Sequence, residues 1–499
     1  MSTRPFHRIL HLLLPAAALW CSTAAAQDAQ LFGERSIQGT ARYTAMAGAM
    51  ASVGADPSAV LDNPAGLGLY RRMEVSFSFA EQWQKNRQMT NGKEADGSAL
   101  TTAVFSLPQA SLVFALENRK ESGGLRFCNF MLSFNRLQSF NRTSLAFGSQ
   151  QPSIASLMLD QTGSANEQQM AASRFNSNQT GWLAELGYWT YMIDPVYDID
   201  ATGDTIGFLG WDAAYGIQPS TALKTEESGY VDEYTIHWAG NIDHHWFVGA
   251  GLNIRALYYS KHLTYEEALA PSSKDYTQLH SYINQRGTGI SGSAGLIYRP
   301  LDWFRAGLSV QTPVLAHITT RTNAIMGLYK TDGSSTETET PFFEGRGKLT
   351  LPLRTTVGTT FLIGQRGMVS LQYDYRHVRQ LNDVHTLKAG FEAVPLPNLF
   401  LNAGYACESS FLARDLQFLP AANDVRTDCD FRNWHTAHYA SAGIGYRGHN
   451  FIAQLAYQFR WQDSTMQPFA VSDDSWTPDA FDMNTMCHRV VVTLAWHTR

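Results

Sequence analysis

Period-two alternation, sustained over nine residues or more at a time, most narrows what this chain can fold into. Successive side chains of a strand point to opposite faces, so such a run separates an apolar face from a polar one. Met73, Val75, Phe77 and Phe79 share one face, and Glu74, Ser76 and Ser78 the other. Val248, Ala250, Leu252, Ile254, Ala256 and Tyr258 alternate with Gly249, Gly251, Asn253 and Arg255. Val369, Leu371, Tyr373 and Tyr375 oppose Ser370, Gln372 and Asp374, and Phe451–Phe459 and Val490–Trp496 repeat the pattern. Strands of soluble sandwiches average about five or six residues. A tilted strand that crosses lipid needs about nine to eleven.

The connections add a rhythm. From residue 231 on, short ones (241–245, 299–302, 364–367, 394–397, 447–449) alternate with longer ones (262–280, 321–342, 377–383, 408–434, 462–486). Short turns on one side and long loops on the other are the habit of transmembrane barrels, which also have even strand numbers in bacteria. Eleven strands after residue 231 and three before it (73–83, about 100–117, 125–137) predict fourteen. The even count requires 100–117 to be one strand. Pro108 lies inside it and donates no hydrogen bond, so it is the candidate kink. Residues 138–230 are too long for a bare loop and form an insert on the long-loop side. Within it, Trp182, Leu183, Leu186 and Trp189 have helical spacing. That helix either captures a greasy ligand at the rim or packs over the barrel mouth.

The first residues have the order of a secretory leader. Arg4 and Arg8 precede the apolar stretch Ile9–Trp20, and Ala24–Ala26 offer a cleavage site before Gln27. Removing residues 1–26 leaves 36 Lys+Arg against 44 Asp+Glu, a mildly acidic chain unsuited to nucleic acid. Four cysteines remain, Cys128, Cys407, Cys429 and Cys487, without metal-ligand spacing. Secretion permits a disulfide, and Cys407 and Cys429 are close enough in sequence to form one. No later apolar run is long enough for a transmembrane helix. The expected architecture is therefore all-β: a transmembrane antiparallel β-barrel (73–499) of about fourteen strands, with residues 27–72 left over.

Those leftover residues do not alternate. They are rich in Gly and Ala, which suits a compact helical plug in a narrow lumen. Asp56-Pro57 and Asn63-Pro64 signal turns or helix starts, and Gly66 and Gly68 allow sharp bends. The segment Gly39–Arg71, centred on Asn63-Pro64-Ala65-Gly66-Leu67, resembles the N-terminal hatch of the FadL-type outer-membrane transporters of long-chain fatty acids and aromatic hydrocarbons. The closest resemblance is to the Bacteroidetes branch, some of whose members carry a hemin-receptor label. Gly229–His237, Gly249–Arg255 and Gly295–Leu301 fit the same branch. The resemblance implies a fourteen-stranded barrel, hydrophobic ligands entering from outside, a hatch that shifts, and a sideways exit where a strand near the N-terminus kinks. It assigns Asn63, Pro64, Ala65 and Gly66 to the hatch.

Histidines at 244 and 245, 377 and 385, and 435 and 438 read as solvated. Residues three apart on a strand face opposite ways, so the last pair cannot converge on a metal or haem. No Ser-His-Asp elbow, HExxH or P-loop appears, and neither an enzymatic activity nor a cofactor is expected. Passive, hatch-gated uptake of hydrophobic small molecules through the outer membrane, with fatty acids as the default ligand, is the function expected. The alternative is a non-transport barrel that scaffolds an outer-membrane complex of the secretion type, whose protein partners the sequence does not identify.

Overall fold

Alternating residues can satisfy lipid outside and polar groups inside only if the sheet closes, because an open edge in lipid leaves backbone groups unpaired. The computed structural model shows such a closure. It describes residues 28–118, 124–176, 180–201, 204–271, 274–377, 382–412, 419–420 and 423–498. The leader expected at residues 1–26 lies outside the described residues.

Fourteen antiparallel strands form the wall. They are β1 (Glu74–Thr90), β2 (Leu100–Glu117), β3 (Leu125–Ser139, continued by Arg142–Gly148), β4 (Ser220–Ile242), β5 (Trp246–Ala268) and β6 (Tyr276–Leu301). Next come β7 (Phe304–Gln311, continued by Val314–Tyr329), β8 (Phe343–Leu351, continued by Leu353–Ile363), β9 (Gly367–His377) and β10 (Val384–Leu396). The wall ends with β11 (Leu399–Glu408), β12 (Phe431–Arg447), β13 (Phe451–Gln467) and β14 (Phe481–His497). β14 pairs with β1 from Glu74↔His497 to Met89↔Asp482, which seals the barrel. The breaks in β7 and β8 fall at Pro313 and Pro352, neighbours in the ladder that have no N–H to give it.

The burial pattern inverts that of a soluble protein. Phe77, Leu112, Leu132, Ile236, Leu252, Leu371, Leu455 and Val492 are exposed on the outer face. Asn86, Asn129, Gln285, Gln372, Asp374, Gln458 and Arg489 are buried inside. Aromatic pairs ring the short-turn end, among them Trp246 stacked on Tyr298 at 4.0 Å and Phe451 against Trp496 at 5.6 Å. This is the outward apolar band and interfacial girdle of a membrane barrel.

β3 and β4 extend beyond the lengths read from alternation, so the insert off the wall shortens to residues 149–219. Their outer halves stand above the apolar band and lose the simple alternation there. The insert forms helices Ala155–Asp160, Glu167–Ser173 and Trp182–Trp189 and a hairpin of Ile193–Ile199 with Thr205–Ala213. Trp182, Leu183 and Leu186 are buried, and Leu183 and Leu186 share an apolar cluster with Leu263, Leu279, Met326 and Phe469 of the wall and its outer loop. Of the two roles open for this helix, its burial favours a cover over the barrel mouth. Cys407 and Cys429 do not form the disulfide their spacing permits. Both are free thiols, Cys407 half-buried on β11 and Cys429 buried in the cluster under the cover.

Candidate functional site

The segment expected to be a hatch, residues 28–72, lies inside the barrel, and Asn63 ties its centre together. The Asn63 side chain accepts a hydrogen bond from Ala65 N at 3.0 Å, capping the 3₁₀ turn Pro64–Leu69. Its amide donates to Ala51 O at 2.8 Å within the hatch and to Leu296 O of β6 at 3.2 Å. Pro64 opens the turn, where a missing N–H costs nothing. Ala65 is fully buried, and a Cβ on Gly66 would sit 3.1 Å from Gly54 Cα, so the two hatch loops touch backbone to backbone.

The wall meets this turn with glycines. A Cβ on Gly249 would overlap the Pro64–Ala65 peptide, and one on Gly295 would overlap the Asn63 carboxamide. These glycines open two of the three wall motifs singled out above. Gly295→Val is therefore expected to cost about 1–3 kcal/mol of hatch docking by overpacking. Single-channel conductance should rise, whereas Gly292→Ala, whose Cβ meets nothing nearer than 3.8 Å, should leave it unchanged.

Charge fixes the hatch beside Asn63. Asp62 is buried and meets Arg35 and Arg354 at 3.0 Å and Lys388 at 3.7 Å. It also accepts from Tyr43 Oη at 2.9 Å and Gln372 Nε2 at 3.2 Å. Burial alone would raise its pKa. The surrounding Arg354, Lys388 and Arg35 more than reverse this and hold the carboxyl below its usual range. Asp374 on β9 completes the network at 2.8 Å from both Arg354 and Lys388. A second tie joins Arg42 to Glu392 through two hydrogen bonds of 2.6 and 3.0 Å.

Pro108 sits at a bulge: Ser78 pairs with Gln109 and Ala80 with Ser106, so Leu107 and Pro108 together oppose Phe79. The wall forks at the same level. β2 and β3 pair only from Glu117↔Phe127 to Gln109↔Asn135. Beyond that point, among the described residues, Leu100–Leu107 have no ladder partner on the β3 side. The outer part of β3 turns inward at Phe140–Asn141 and hydrogen-bonds luminal side chains of β1. Asn86 Nδ2 donates to Thr143 O, and Gln88 Nε2 to Phe147 O, both at 2.8 Å.

The hatch takes up the edge of β3 that β2 leaves. Ser36 N donates to Leu137 O at 3.0 Å, and Gln38 Nε2 to Arg136 O at 2.8 Å. Outside, just below the fork, lies an apolar groove of about 480 Å³ lined by Phe77, Leu112, Leu132, Phe134, Tyr234 and Ile236.

Inside, residues 28–34 fill a chamber walled by Leu137, Phe140, Leu257, Tyr259, Ile283 and Leu351. Phe32 is 1% exposed and packs edge-on against Phe140 at 6.0 Å and Tyr259 at 6.4 Å. Beside it remains a polar cavity of only about 60 Å³, bordered by Glu34, Arg142, Glu227, Lys261, Asp430 and Arg432. Arg432 reaches Ser144, Ser464 and Thr485 hydroxyls at 2.7–3.2 Å and stacks on Trp434 at 4.0 Å. Among the described residues no carboxylate forms an ion pair with it. The histidines lie elsewhere: His377 meets Asp383 at 2.7 Å, and His438 meets the Tyr405 hydroxyl at 2.9 Å. No group of three metal-ligating side chains occurs among the described residues.

The structure places Asn63–Gly66 inside the barrel and Pro108 at the bulge of β2, whereas Asp62, Phe32, Ser36, Gln38, Arg354 and Arg432 were not singled out from the sequence. Asp62 had one signal, its place directly before Asn63-Pro64.

No family model and no curated protein sequence matches the chain. Solved structures do. A Pseudomonas aeruginosa FadL homologue aligns with a TM-score of 0.54 over 93% of this chain and 98% of its own, at 12% identity. The fold is the FadL-type barrel. The Pseudomonas putida toluene transporter TodX aligns with a TM-score of 0.51 over 93% of this chain and 99% of its own, at 13% identity. At such identities what is shared is the FadL-type architecture, and the chain has it across nearly its whole length.

Proposed function

We propose that this FadL-type barrel is an outer-membrane channel for passive uptake of hydrophobic small molecules, with the hatch as its gate and the fork as a sideways exit. The mature chain, from about Gln27, would reach the membrane through the leader at residues 1–26. The contact of Ser36 and Gln38 with the β3 edge carries this reading. A hatch that shifts must release the edge on which the fork depends, so gate and exit move together. A sideways exit also suits a greasy solute, which gains nothing by crossing a polar lumen.

Long-chain fatty acids fit the interior better than uncharged hydrocarbons do. The apolar chamber adjoins buried cations, and among the described residues Arg432 is in contact with hydroxyls and a ring and with no carboxylate, so a ligand with an acyl tail and a carboxylate matches both surroundings. Ligand pockets typically measure about 300–1,000 Å³. The 60 Å³ cavity belongs to a closed gate, with residues 28–34 where a ligand would lie.

Uptake of a radiolabelled long-chain fatty acid and of toluene, in cells with and without the chain, tests the proposal. Fatty-acid uptake is expected to rise several-fold and toluene uptake less. If toluene alone responds, the ligand class is wrong; if neither responds, the transport role is wrong.

A further inference from the structure

The outer surface carries a basic patch that the passage of ligands does not use. Alternation points even-numbered side chains of β6 and β8, and odd-numbered ones of the outer part of β7, away from the lumen. Three successive ladder rows cross these strands: Thr288–His317–Lys348, Arg286–Thr319–Arg346 and Asn284–Arg321–Glu344. Five of the nine outward positions are basic and one is acidic. The remaining three carry a hydroxyl or a carboxamide.

The height of the patch is set by its neighbours. The next row toward the short-turn end is Ile290–Leu315–Thr350, with Ile290 49% and Leu315 62% exposed to lipid. Tyr258, of the kind that marks a membrane interface, lies opposite Arg286, whose guanidinium sits 5.2 Å over its ring. The patch therefore begins where the apolar band ends, on the long-loop side. In an outer-membrane barrel that is the headgroup level of the outer leaflet.

A solvated rim of mixed charge would need no partner. Here the charge is one-sided. Glu344 bridges Arg321 at 2.8 Å and Arg346 at 3.3 Å, and it is the one carboxylate in ion-pair contact with the patch among the described residues. Lys348, His317 and Arg286 stay exposed on the lipid side. Strands about 4.8 Å apart and rows about 6.8 Å apart bring these long side chains within reach of one phosphate group. Arginine offers phosphate a planar fork of donors, and the threonine hydroxyls add further ones.

We infer that Arg286, Arg346 and Lys348, with Arg321 and His317, form a binding site for the phosphate groups of an outer-leaflet glycolipid, whose acyl chains lie on the Ile290–Leu315 surface below.

The test uses the full purified chain in detergent. Three lipids are compared by native mass spectrometry: lipopolysaccharide of the host, its dephosphorylated form, and phosphatidylglycerol. The phosphorylated glycolipid is expected to be retained at least tenfold better than the other two. The triple variant Arg286→Ala, Arg346→Ala, Lys348→Ala should lose that preference while its heat-resistant mobility and ligand uptake stay normal. Equal retention of dephosphorylated glycolipid or of phosphatidylglycerol, or an unaffected triple variant, overturns the assignment. If the triple variant does not assemble, Glu344→Gln decides. Removing the one competing acid should tighten retention several-fold, and no change or a loss counts against the site.

Discussion

Asp62→Ala is expected to turn the closed barrel into a leaky one. The substitution removes the group on which Arg35, Arg354 and Lys388 converge, leaves Arg354 and Lys388 to Asp374, and takes from Arg35 the carboxylate it meets. Breaking a buried ion pair from one side costs about 3–5 kcal/mol. At about 1.4 kcal/mol per factor of ten, the docked hatch loses roughly two to three orders of magnitude against the released one. Planar-bilayer conductance and liposome swelling with small sugars should both rise sharply, while the barrel keeps its heat-resistant mobility. Asp62→Asn, which keeps hydrogen-bonding atoms in place, should fall between. Unchanged low conductance in Asp62→Ala would show that the network does not hold the gate. Acid should act in the same direction. The folded pKa of Asp62 lies below its ordinary 3.8, so its contribution to docking is complete above that value and disappears only as pH falls through the folded one. The native channel should thus stay closed from neutral pH to about pH 4, loosen progressively below it, and lose the Asp62 contribution only as pH falls to about 2. Asp62→Ala should lack that transition.

The wall was legible because lipid imposes a simple code on it. Tight turns at 243–245 and 302–303 stand where the short connections at 241–245 and 299–302 were read, and the strand count follows from their rhythm. The outer halves of β3 and β4 were hidden because they stand clear of the lipid that writes the code. The fork was half visible. Pro108 marks the bulge in β2, but the inward turn of β3 at Phe140–Asn141 depends on partners in β1 and β4 far away in sequence. The hatch network was hidden for the same reason. Asp374 and Arg354 read as ordinary luminal residues of β9 and β8, and only barrel closure brings them to Asp62. Cys407 and Cys429 misled in the opposite sense. Proximity along the chain counted for little once one lay on a strand and the other in the core under the cover.

Residues 28–34 directly follow the segment read as a leader and carry no motif, yet the proposed gate makes Phe32 an occupant of the ligand's place. Phe32→Ala should therefore strengthen ligand binding although it removes packing. The ring lies between Phe140 and Tyr259 and is 1% exposed, so its loss weakens docking of this segment by about 3–5 kcal/mol. A ligand that must displace the segment sees an affinity reduced by the fraction of molecules already open, and destabilising the closed form raises that fraction. Apparent affinity for a long-chain acyl probe is expected to rise by up to about two to three orders of magnitude, read by calorimetry or by the fluorescence of Trp434 beside the cavity. The cavity left by the ring is apolar and suits an acyl tail. Weaker binding in a folded Phe32→Ala variant would mean that Phe32 builds the chamber wall instead of filling it, and the hatch would then have to open without residues 28–34 leaving.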